Sequence, residues 1–306
     1  MKSSPVKNSQ NLWPALPLNE WKETYDTLHM WMQIVGKVRM ELSASQNHWW
    51  HVPFYITARG LTTSAIPCED GIFDMEFDFV EHSLVLRKSD GALRKLELRP
   101  RAVADFLPEF MGMLHAAGIA CTIWEKPVEV PDPIPFPKDR VHASYVPEQA
   151  HRFWQVLVAL EPVFKQFRSR WLGKVSPVHF FWGSFDLALT RFSGEKAPPR
   201  PGADAMTQEA YSHEESSAGW WPGGGAVDGP AFYAYTAPEP AGLKEARVKP
   251  DKAFYHPELK EFILMYDVVR TSASPAGTLL DFLQSTYEAG ANLGGWDRKA
   301  LEEGAT

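Results

Sequence analysis

Two stretches, HWWHVPFYITARGLT from His48 and HFFWGSFDLALTRFS from His179, each follow a long amphipathic segment and overlay without a gap. His matches His, Phe54 matches Phe185, and aromatic residues meet at Trp49/Phe180 and Trp50/Phe181. Such a chain is held to two successive helix-then-strand units, because apolar spacing near 3.6 gives way twice to runs of strand character. Upstream of the first run, Trp21, Tyr25, Leu28, Met32 and Val35 predict a helix over about 20–40 with Asn19 as its N-cap. Upstream of the second, Phe153, Val156, Leu157, Leu160, Phe164 and Phe167 predict another, kinked at Pro162.

The remaining elements follow from pattern. IFDMEFDFV alternates strictly, with Phe73, Met75, Phe77 and Phe79 on one face and Asp74, Glu76 and Asp78 on the other, which reads as a solvated acidic face. LVLRKSDGALRKLEL reads as a hairpin turning at Ser89-Asp90-Gly91, followed by a helix over 101–117 that Gly118 ends. Strands at PAFYAYTA and KEFILMYDVV precede a last helix carrying Leu279, Phe282, Leu283, Thr286 and Tyr287. The expected class is α+β, two related helix-flanked antiparallel β units packed as one body. Internal duplication and chance similarity both account for the overlay. The expected layout is an N-terminal arm (1–18), a first unit (19–124), a Pro-rich connector (125–145) and a second unit (146–300) with a long loop at 193–230.

Composition removes several functions. The chain has 31 Lys+Arg against 38 Asp+Glu and no basic block, so nucleic acid is not an expected partner. No apolar run reaches the about eighteen residues of a membrane span, and the N-terminus lacks a signal-peptide core, so a soluble cytoplasmic protein without a membrane partner is expected. The two cysteines, Cys68 and Cys121, are too few and too far apart for a disulfide framework or a cysteine zinc site. WPGGGAVDG lacks the flanking strand and helix of a nucleotide-binding turn, so no nucleotide cofactor motif is present.

If both runs are strands, their polar faces carry His51, Tyr55 and Arg59 in the first copy and Trp182, Ser184 and Asp186 in the second. A carboxylate at Asp186, among apolar neighbours, requires a partner. Arg59, Arg191 or a histidine could supply it, either as a structural ion pair or as part of a pocket between the two faces. The long loop, with His213, Glu214, Glu215, Trp220 and Trp221 beside a glycine run, has the make-up of a lid. The leading reading is an enzyme acting on a small aromatic or anionic organic molecule. Tyr55, Trp182, Trp220 and Trp221 would contact it, Arg59 or Arg191 would hold a carboxylate or phosphate, and His51 or His213 would act as acid or base oriented by Asp186 or Glu214. Alternatives are a non-catalytic small-molecule-binding protein, a module that docks a protein partner through the aromatic loop, and an enzyme using a divalent metal. Ligands for such a metal would come from His48, His51, His179, His213 and Glu214, although His48 and His51 fall on opposite faces of a strand. The sequence does not fix oligomeric state.

From WPALPLNEWKETYDTLHMWMQIVGKVR through NHWWHVPFYITARGLTTSAIP, SPVHFFWGSFDLALTRFSG, AYSHEESSAGWWPGG and DFLQSTYEAGANL, the chain resembles a family of bacterial proteins catalogued as a domain of unknown function. The resemblance covers nearly the whole length and implies one full-length unit. It transfers no functional residue.

Overall fold

The computed structural model describes residues 12–304; residues 1–11 of the expected arm lie outside them. The first unit opens with α1 (Leu18–Leu42), which starts after Pro17 rather than at an Asn19 cap. It continues through β1 (Tyr55–Ile56), β2 (Gly60–Thr62), β3 (Ile66–Cys68), β4 (Gly71–Asp78), β5 (Ser83–Lys88), β6 (Leu93–Glu97) and α2 (Val103–Ala116). The second comprises α3 (Pro147–Arg168), β7 (His179–Phe181), β8 (Asp186–Lys196), α4 (Ala205–Ala210), β9 (His213–Trp221), β10 (Ala231–Ala237), β11 (Phe254–His256), β12 (Glu261–Met265), α5 (Tyr266–Arg270), α6 (Pro275–Leu293) and α7 (Arg298–Leu301). The protein is α+β. KEFILMYDVV is split, its first part being β12 and its last residues α5.

Both sheets are antiparallel and six-stranded, in the orders β1-β2-β4-β5-β6, with β3 on β4, and β11-β12-β10-β9-β8-β7. They meet where Phe54 and Phe180 exchange backbone hydrogen bonds of 2.8 and 3.0 Å. Each sheet therefore runs outward from one shared seam. α3 packs over the seam against β1 and β8, and α6 covers β9 and β10. The apolar face of β4 is fully buried, as alternation requires: Phe73, Met75, Phe77 and Phe79 belong to one continuous core with α1, α2 and α3.

Four further expectations change. His48 and Trp49 lie in a 3-10 turn (Asn47–Trp49) with φ of 57° and 60°, so the first run is not one strand: only Tyr55–Ile56 and Gly60–Thr62 of it are strand. The second run is a hairpin, β7 turning through residues 182–185 into β8, with Phe185 at φ 58°. In the overlay of the two runs the His48–Trp50 turn stands opposite β7, whereas Tyr55–Ile56 stands opposite the start of β8; an internal duplication is not shown. The expected loop at 193–230 is largely ordered: it holds the end of β8, α4 and the whole of β9, a strand inside the sheet. Nor is the acidic face of β4 solvated. Arg87 bridges Asp74 (3.1 Å) and Glu76 (2.5 Å), Arg59 holds Asp78 (2.6 Å), and Glu76 and Asp78 are buried.

Gly60 shows how tightly the first sheet is built. A β-carbon there would collide with the carbonyl oxygen of Phe77, which backbone pairing holds in place. Gly60→Ala should lower stability by about 1–3 kcal/mol, the range for overpacking, read as a lower urea midpoint with an unchanged m-value.

Candidate functional site

Strand register decides which side chains share a surface. In the second sheet Ala188 pairs with Gly219, Gly219 with Tyr233, and Tyr233 with Ile263. One face thus carries Leu187, Leu189, Trp220, Phe232 and Leu264, buried beneath α3 and α6. The other carries Asp186 and Thr190 of β8, His213, Glu215, Ser217 and Trp221 of β9, Tyr233 and Tyr235 of β10 and Glu261 of β12. Tyr233, Tyr235, Trp221 and Glu261 are half-buried there, while Asp186 (7% exposed) and Glu215 (4%) are buried.

Asp186 has two partners, neither of them charged. Ser184 Oγ donates to Oδ1 and Tyr233 Oη donates to Oδ2. Tyr233 reaches Asp186 from two strands away because β9 has Gly219 between them; a β-carbon at Gly219 would strike the tyrosine ring. Burial raises the Asp186 carboxyl above the usual carboxylate range, against those two hydrogen bonds. Beside this pair the rings of Tyr233 and Tyr235 stack at 6.2 Å, Tyr211 Oη donates to Tyr235 Oη (3.2 Å), and Tyr235 Oη approaches Glu215 Oε1 at 3.5 Å. Burial pushes Glu215 up to about 8, and burial with the Asp186 charge pushes Glu261 up to about 7.

At the seam, His48 Nδ1 faces the carbonyl of Ala210 (2.9 Å), so Nε2 is the acceptor for Lys174 Nζ at 2.5 Å. The His213 ring lies 5.6 Å from that of His48, and Ser193 Oγ donates to Glu214 (3.0 Å). Burial and then the nearby Lys174 and His213 charges lower His48. Among the described residues no group of three or more His, Cys, Asp or Glu is arranged to hold a metal ion.

The structure thus brings Asp186, His213 and Trp221 to one sheet face, with His48 and Glu214 at its edge. The other expected site residues lie elsewhere. Arg59 is on the first sheet, between Asp78 and Glu81. Trp182 is in the hairpin turn, buried with its ring against Gly36 and its Nε1 donating to Val52 O (2.9 Å). Trp220 points into the core beside Phe153. His51 is buried near Trp49, its carbonyl accepting from Arg39 (2.8 Å). Tyr55 packs on His179, which burial lowers to about 3. Arg191 lies on the helix-covered face of β8. Sequence reasoning passed over Tyr233, Tyr235, Glu261 and Lys174, although alternation in PAFYAYTA already placed both tyrosines on one face.

The fold and this face define a two-sheet α+β protein whose second sheet has an apolar side under helices and an acidic, tyrosine-rich side. Residues 13–303 match DUF5996, a family of unknown function, and the chain belongs to that family. No curated protein and no solved structure matches it. No helix among the described residues is long and apolar enough to cross a membrane.

The raised Glu215 has a measurable consequence. Between about 4.5, its ordinary value, and about 8 the unfolded chain has released this proton while the folded chain keeps it, so stability falls as pH rises through that window. Glu215→Gln removes the titration. In urea unfolding the variant should gain on the wild type steadily from pH 5 to pH 8, whereas parallel curves would mean that Glu215 titrates normally.

Proposed function

We propose that the outer face of the second sheet is the site of an enzyme performing proton-transfer chemistry on a small organic molecule. The carrying observation is a contrast between the two sheets. On β4 every carboxylate of the polar face is neutralised by arginine. On the second sheet Asp186, Glu215 and Glu261 face the same surface with tyrosine and serine hydroxyls, and no base lies within ion-pairing distance of them among the described residues. Carboxyl groups kept buried without counter-charge cost stability, and perturbed groups of this kind concentrate at functional sites.

Two roles follow from the environments. Glu215 and Glu261 retain protons near neutral pH and can donate them, while Asp186, held by Ser184 and Tyr233, is the group placed to accept one. Trp221 and the two stacked tyrosines supply a flat wall for the substrate. Because three carboxyl groups face this surface against one nearby arginine, Arg200 over the Tyr211 ring (3.8 Å), the substrate here is uncharged or cationic. Neutral sugars, amines and aromatic alcohols form the panel to screen by ligand-observed NMR and then for turnover. Glu215→Gln should leave binding nearly unchanged and reduce turnover about 10²–10⁴-fold, the span of a general acid, and wild-type turnover should decline as pH rises through about 8. Binding that survives Trp221→Ala together with Tyr233→Ala, or turnover indifferent to Glu215→Gln and Asp186→Asn, would overturn this reading.

A further inference from the structure

The segment ahead of β7 continues along β8, where Val175 bridges Arg191, so Lys174 falls on the outer side of the sheet with Phe192. Its carbonyl accepts from Phe192 N (3.1 Å) and Trp171 Nε1 (2.9 Å), which fixes the root of the side chain. The amine lies 4.7 Å from the centre of the Phe192 ring and 5.3 Å from that of Trp50, and its hydrogen-bond acceptor is His48 Nε2 at 2.5 Å. Among the described residues no carboxylate lies within ion-pairing distance of it. Two backbone irregularities place these groups. His48 sits at φ 57°, a left-handed conformation that is costly for a non-glycine residue, and the β8–β9 ladder breaks past Phe192 and resumes only where Lys196 meets His213. The His213 ring thereby comes to 5.6 Å from that of His48. Trp50, Lys174 and His213 are half-buried, each keeping part of its surface in solvent.

A carboxylate beside a lysine keeps it an ammonium, whereas an imidazole nitrogen is a neutral base that can take the proton. His48 is prepared for this. With Nδ1–H donating to Ala210 O (2.9 Å), a proton from Lys174 enters at Nε2 and both ring N–H groups stay bonded. Burial lowers Lys174, and the group whose charge would oppose this, Glu215, is itself pushed up to about 8 and holds its proton at neutral pH. We propose that Lys174 is a nucleophile that forms an imine with a small aromatic aldehyde, with His48 as its proton acceptor and the Trp50 and Phe192 rings as the walls for the aldehyde's ring. The step needs no redox partner. His48 Nε2 takes one proton from the ammonium, and the amine lone pair forms a C–N bond to the carbonyl carbon as the C=O π bond breaks. A second amine proton moves to the oxygen, the imidazolium returns the first to it, and water leaves, giving the protonated imine and neutral His48. Glu214 and Glu215 border this end of the face together with Lys196 and Arg200, so the rings and not net charge select the aldehyde. Imine formation at Lys174 stands apart from the acid–base reading, since it needs no proton from Glu215 or Asp186 and is read without turnover.

The full chain is incubated at pH 7 with benzaldehyde and sodium cyanoborohydride, which reduces an imine to a stable benzylamine, and the labelled lysines are located by peptide mass spectrometry. Lys174 should take the benzyl group saturably in benzaldehyde and about tenfold or more faster than Lys165 and Lys244, whose side chains are 65% exposed. Acetaldehyde, which has no ring, should give Lys174 a smaller advantage over the same two lysines. His48→Gln, whose amide oxygen can accept from Nζ but cannot take its proton, should slow labelling of Lys174 about 10²-fold or more at an unchanged half-saturating benzaldehyde concentration, and leave Lys165 as in the wild type. Should that variant not fold, the wild-type comparison of lysines and aldehydes decides without it. Labelling of Lys174 no faster than of Lys165, a linear dependence on benzaldehyde, an equal advantage with acetaldehyde, or a folded His48→Gln chain labelled at the wild-type rate would each overturn the proposal.

Discussion

Two backbone hydrogen bonds between Phe54 and Phe180 set the geometry of the molecule. Without them the short β1 would end one sheet and β7 the other, each an open edge. With them the two edges close on each other, α3 can lie across the join, and Phe153 can touch Phe79 of the first unit as well as Phe180 and Trp220 of the second. The join also brings Lys174 and His48, from different units, within hydrogen-bonding distance.

β8 then acts as a partition. Its even-numbered positions from Asp186 face carboxyls and tyrosines, and its odd-numbered positions from Leu187 face the helices, with Arg191 last before the strand leaves the core. Charges of opposite sign, Asp186 and Arg191, are thus kept from each other by the pleat itself. Each remains without an ionic partner although both belong to one strand.

The long helices, the Ser89-Asp90-Gly91 hairpin and the buried side of β4 were legible because their signals are local: spacing of apolar residues, a turn tripeptide and strict alternation. Gly118, at φ 73°, ends α2 as expected. β9 was not legible. SHEESSAGWW is small and polar on the side that faces the tyrosines, so it resembles loop sequence, and only its pairing with β8 and β10, distant in sequence, makes it a strand. The turns at His48-Trp49 and at Phe185 were hidden for another reason, because non-glycine residues there adopt positive φ under tertiary contacts that no local motif announces. Of the expected site, Asp186, His213 and Trp221 were legible as chemistry, but not the register that sets His213 beside Lys196, at the opposite end of β8 from Asp186. Arg59 and Trp182 were drawn in by a strand alternation that the backbone does not follow.

The gap left by Gly219 makes the tyrosine–aspartate contact hostage to an atom that is not there. Tyr233 spans β9 through a passage one hydrogen wide, so the residue that admits one of the two hydroxyls on Asp186 brings no side-chain donor, acceptor or charge of its own. Variation at this position would therefore rewire the acidic surface from beneath while leaving every ionisable group in the chain unaltered.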